Sequence, residues 1–138
     1  MKAMLVQKIH PEGWKPSRGY SNAVLVAGAE KLLFVAGQIA WDAEQRLVGR
    51  GDFVAQMRQA LQNVAAVVAA AGGQPEHIVR LTLYVTDKRP YLERQQEVGA
   101  AYREVLGRHF PAMVLVVVAG LLEDGALVEI EATAALPS

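Results

Sequence analysis

Apolar residues fall at Phe53, Met57, Ala60, Leu61, Val64, Val67, Val68 and Ala71, spacings that gather them on one face of a helix. Asp52 stands where an N-cap belongs, and Gly72-Gly73 stops the helix, so this glycine pair reads as a C-terminal cap and not as a phosphate cradle. From Ile78 to Asp87 the period changes to two. Val79, Leu81, Leu83 and Val85 alternate with Arg80, Thr82, Tyr84 and Thr86, the signature of a half-buried strand. Pro90 suits the first turn of a second helix, with a stripe at Tyr91, Val98, Tyr102, Val105 and Leu106 before Gly107. Two further strands, Met113 to Ala119 and Ala126 to Ala135, are joined by a turn containing Asp124-Gly125. Upstream, Ala23 to Ala27 and Leu32 to Gly37 are short aliphatic runs separated by Gly28-Ala29-Glu30-Lys31, which predicts a hairpin, and Trp41 to Gly51 reads as a polar loop.

The predicted order is therefore β-β-α-β-α-β-β, an α+β domain with a mixed sheet and two helices side by side on one face. Met113 to Ala119 is apolar on both alternating sets, so this strand requires both faces to be shielded from water. Two helices cover only one face. The other is expected to pack against further copies of the chain, since a large exposed apolar patch is a liability on a monomer.

Composition narrows the functional classes. The chain has 138 residues, 52% hydrophobic and 20% charged, the size of one domain spanning 1–138, large enough to bury a core unaided. It contains no cysteine, which removes thiolate chemistry and makes the cytoplasm the expected compartment. Fourteen basic against fourteen acidic residues leave no net field to attract nucleic acid or an anionic membrane, and no apolar run approaches the ~20 residues of a membrane span. His10, His77 and His109 have no ligand spacing, so no metal is expected, and Ser17 and Ser21 lie in no nucleophile elbow. His109 reads as an interface or capping residue. The last strand sets Glu129 and Glu131 on one side, about 7 Å apart, either as a carboxylate pair fit for general acid–base work or as a solvated face and salt-bridge partners.

Four stretches resemble the RidA (YjgF) family: Gly19-Tyr20-Ser21-Asn22-Ala23, Leu33 to Ile39, His109-Phe110-Pro111-Ala112, and Val128-Glu129-Ile130-Glu131-Ala132. The resemblance runs from about Tyr20 to Ala134 and implies a chorismate-mutase-like domain forming a homotrimer, with a small-molecule pocket at each subunit interface. In such proteins the enzymes hydrolyse reactive enamines and imines to a keto acid and ammonia, without a cofactor. The resemblance places Tyr20, Gly37 and Glu129 at the pocket, with Glu129 at the acidic position that orients water. Met113 stands where the family has a substrate-clamping arginine, and a thioether cannot replace a bidentate guanidinium. Leu115 follows on the same strand face, so an apolar pocket wall and an apolar or aromatic ligand are expected. Gly99 replaces a frequent asparagine, and Gly19 a frequent proline. Arg18 is a candidate replacement cation, with a solvated surface role as its alternative, and Trp41 either stacks on a planar ligand or covers the interface.

The leading expectation is an imine or enamine deaminase with an altered substrate. Its rival is a non-catalytic trimer that binds a ligand or partner through the same cleft. A ribonuclease activity would want a basic groove or stacking platform, which zero net charge and 7% aromatic residues do not favour.

Overall fold

A computed structural model describes residues 3–138. The elements are β1 (Leu5–Ile9), β2 (Ala23–Ala27), β3 (Lys31–Gln38), α1 (Phe53–Ala70), β4 (Ile78–Val85), α2 (Arg89–Glu93), α3 (Gln95–Leu106), β5 (Ala112–Val117) and β6 (Val128–Leu136), with a 3-10 turn at Pro75–His77. Four strands form a mixed sheet in the order β3-β6-β4-β5, in which β4 and β5 run parallel and the other pairs antiparallel. The helices α1 and α3 pack side by side, α1 resting on β6 and β3. The α+β class and the mixed sheet with helices on one face are as the pattern predicts.

The α1 stripe is the centre of the core: Met57, Ala60, Leu61, Val64 and Val68 are buried against Leu81, Leu83, Val128 and Ile130 of the sheet. Asp52 caps this helix by accepting from the Ala55 amide at 3.2 Å, and Gly73 closes it by donating to the Val68 carbonyl at 2.9 Å. His109 is structural. Its Nε2 lies 2.6 Å from the Ile78 carbonyl, and its own carbonyl accepts from the Tyr102 hydroxyl, which ties the entry of β5 to the start of β4.

Three expectations are corrected. Residues Ala23–Ala27 do not form a hairpin with the strand that follows: β2 pairs antiparallel with β1, a strand the alternation did not reveal, in a separate two-stranded ribbon. Gly28, at φ +76, turns the chain back towards β1, where a Cβ would meet the Ala3 carbonyl oxygen at 3.2 Å. The second helix is two helices, because Arg94 departs from helical geometry at φ −115, ψ 40. In β4 a register shift between Ile78 and Arg80 moves Val79 out of phase, so the buried set is Ile78, Leu81, Leu83 and Val85.

The sheet face opposite the helices is uncovered. It exposes Leu32 (63%), Phe34 (74%), Val114 (44%) and Val116 (38%). Met113 and Leu115, on the other side of β5, are half-buried against the core.

Candidate functional site

The residues singled out in the sequence lie in two groups. The first is built on the β3–β6 ladder, where Val35 pairs with Ala132 and Gln38 with Ile130, so Ala36 and Gly37 together oppose the single residue Glu131. This bulge brings Gly37 against Glu129. A methyl on Gly37 would lie 2.8 Å from the Glu129 carboxyl carbon and 3.0 Å from its Cγ, so a larger residue here would push that side chain out of its present position. Glu129 lines a cavity of about 380 Å³ with Gly37, Gln38, Ile39, Trp41 and Glu123. Among the described residues no cation pairs with Glu129. Trp41 is fixed through its backbone, whose carbonyl accepts from Asn63 Nδ2 at 2.8 Å, while its buried indole N–H has no protein acceptor among the described residues. The Glu129 carboxylate on this small cavity suits the holding of water or of a small polar group.

Glu131 is used differently. The Tyr84 hydroxyl donates to its Oε1 at 2.7 Å, and this bond, with some burial and the charge of the carboxylate, pushes the phenol pKa up. The pair predicted on one strand side is thus split into an engaged member and a free one.

The second group lies under α3. A cavity of about 510 Å³ is lined by Arg18, Gly19, Gly99, Arg103 and Met113, over an apolar floor that includes Leu83, Val98 and Phe110. Tyr102, stacked on Phe110 at 5.2 Å, lies in the same wall, and burial, with a further push from Tyr91, raises its phenol pKa so that it stays neutral. Among the described residues no acidic one lines this cavity. Among the described residues neither Arg18 nor Arg103 pairs with a carboxylate. The Arg103 guanidinium lies over Gly99, where a Cβ would stand 3.0 Å from Nη1 and would nudge it aside. Sequence reading missed Arg103. The signal was its i, i+4 spacing from Gly99, which puts the two on one helix face.

Tyr20 is 43% exposed and lines a smaller hollow of about 270 Å³ with Arg80, Ala112, Met113 and Val114. Met113 therefore belongs to both hollows. Leu115 lines none of these cavities and packs into the core. One chain does not unite the two groups: Gly37 on β3 and Met113 on β5 are three strand spacings apart, about 14 Å.

Both groups of residues stand on an α+β fold whose helices cover one face of a mixed sheet. Among the described residues no helix is long and apolar enough to cross a membrane. The chain belongs to the Endoribonuclease L-PSP family, the RidA/YjgF/UK114 proteins, whose family model matches residues 12–136. It is 36% identical over 120 residues to a RutC family protein of Pyrococcus horikoshii, covering 87% of this chain and 89% of that one. It is 30% identical over 115 residues to the human 2-iminobutanoate/2-iminopropanoate deaminase, covering 83% and 78% of the two chains. Its fold matches the crystal structure of YyfB, a protein of unknown function of the conserved Rid family from Yersinia pestis, with a TM-score of 0.83 and 36% identity over 95% and 98% of the two chains.

Proposed function

We propose that this protein hydrolyses imines or enamines with an apolar body and a carboxylate, in pockets completed between the subunits of a homotrimer. The observation that carries this reading is the Glu129 carboxylate, seated on the Gly37 bulge beside a cavity and paired with no cation among the described residues. Glu129 takes a proton from water as the oxygen adds to the C=N carbon. The nitrogen takes up that proton and then the proton of the new hydroxyl, relayed by Glu129, so that the C–N bond breaks, ammonia leaves and a carbonyl product remains. Arg103 and Arg18, over the apolar floor that contains Met113, supply the cationic anchor for the substrate carboxylate. Support also comes from the deaminase activity for which the human relative is named and from the apolar side chains of Leu32, Phe34, Val114 and Val116 left uncovered on the sheet, which further copies of the chain would shield.

The test is ammonia release from freshly generated 2-aminoacrylate and from bulkier apolar and aromatic imines. Glu129→Ala should abolish turnover, and Arg103→Ala should raise KM at least tenfold while changing kcat little. Turnover untouched by Glu129→Ala would refute the proposal.

Met113 itself favours a second reading, a non-catalytic trimer that binds a small ligand, because the clamping arginine of the resembling enzymes is absent from β5. In that case the wild type is silent, ligands raise the melting temperature without turnover, and Met113→Arg creates activity towards 2-aminoacrylate.

A further inference from the structure

Two strand edges are left open by this fold. Among the described residues β2 pairs only with β1, and β3 only with β6, so each offers one row of backbone donors and acceptors to a partner. The edges match in phase. Were the four-residue connector at 28–31 to set the register, Ala27 would oppose Leu32, Leu25 would oppose Phe34, and Ala23 would oppose Ala36. All six of these residues are exposed, whereas Val24, Val26, Leu33 and Val35, which would pair on the other face, are buried or half-buried. Yet β2 cannot reach its own β3 in this conformation. Its start is fastened to the far edge of the sheet, where Ser21 bridges to Ala112 and donates to the Pro111 carbonyl at 3.0 Å. At the other end Gly28 turns away towards β1, and the Glu30 amide is held by the Leu136 carbonyl at 3.1 Å.

We infer that the β1–β2 ribbon is an exchanged arm: β2 of one copy pairs antiparallel with the open edge of β3 in a second copy, in the register above. Short connectors that are prevented from closing favour such exchange. The occupant is another copy because its edge has the required length, phase and apolar faces, with Leu25 meeting Phe34. The arrangement also assembles the site. Continuing the register one step places the partner's Asn22 opposite Gly37, which carries the partner's Tyr20, and the Arg18 and Met113 hollow behind it, to the cavity of Glu129. Exchange thereby joins the two groups that a single chain holds apart.

The chain has no cysteine, so introduced pairs are unambiguous. Leu25→Cys and Phe34→Cys chains, prepared separately, mixed under reversible dissociation and then oxidised, should give a disulfide-linked heterodimer on a non-reducing gel. The double variant should give covalent oligomers. A double variant that closes its disulfide within one chain, or one that forms none, overturns the inference. The smaller pair Ala23→Cys and Ala36→Cys makes the same test if the larger one fails to fold. The readout is covalent mass, independent of turnover. Cross-linked chains without ammonia release would refute the deaminase reading and leave exchange standing, and the reverse result would do the opposite.

Discussion

Among the described residues Gln56 is the only fully buried amide side chain, and its three hydrogen bonds let the cost of removing it be worked out. From the second turn of α1 its Nε2 donates to the Gly49 carbonyl at 3.2 Å and to the Gly125 carbonyl at 3.0 Å, while its Oε1 accepts from the Leu127 amide at 2.8 Å. One side chain thus clamps the loop before α1 to the turn that launches β6. Gln56→Met keeps most of the volume, so the loss is polar satisfaction and not a cavity. An orphaned buried group costs about 1–3 kcal/mol. The Gly125 carbonyl lies in an exposed residue and can recruit water, whereas the Leu127 amide cannot readily do so. The sum is about 3 kcal/mol, which for a domain of this size lowers the melting temperature by roughly 10 °C. Urea and thermal unfolding followed by circular dichroism would measure it, with Gln62→Met on the solvent side of the same helix as control. A loss below about 1 kcal/mol would refute the claim that these three bonds hold the entry to β6.

Gly37→Ala should reduce ammonia release at least tenfold with a much smaller change in melting temperature, because the added methyl displaces the half-exposed Glu129 carboxylate and leaves the core intact. Equal loss of activity and stability would mean that Gly37 serves only the fold. Asp87 gives a pH prediction. Hydrogen bonds from the Arg89 side chain, then from its amide, with a smaller effect of its charge, lower the Asp87 pKa to about 2. Since the folded value lies below the unfolded one of about 3.9, the stabilising contribution is complete above that pH and is lost as pH falls through about 2. Carboxyl carbon NMR should place the Asp87 midpoint near 2 and show it rise towards the ordinary value in Arg89→Ala; an unchanged midpoint would refute the pairing.

Much of this fold was legible because a helix or strand facing one core writes its period directly into the chain. The stripe of α1 and the alternation of β4 and β6 predicted buried faces that the structure largely buries, apart from Val67 and Ala71, which α1 leaves exposed, and the one-residue slip at Val79, where a bulge, having no composition of its own, altered the phase. The break at Arg94 carries no Gly or Pro and left no trace in the pattern. Glu129 and Gly37 were each found by resemblance, but their mutual fit depends on an antiparallel ladder that joins residues more than ninety positions apart.

The failed hairpin is the more instructive case. Alternation specifies which face of a strand is buried and says nothing of which edge finds which partner, so β2 reads identically whether it pairs with β3 of its own chain or of another. What decides between them is local: the left-handed Gly28, the anchor of Ser21 on β5, and the clamp of Glu30 on β6. None of these is a hydrophobic signal. The same ambiguity explains why a site divided between copies is hard to see in one sequence, since the residues that meet across an exchanged strand share a register but no chain.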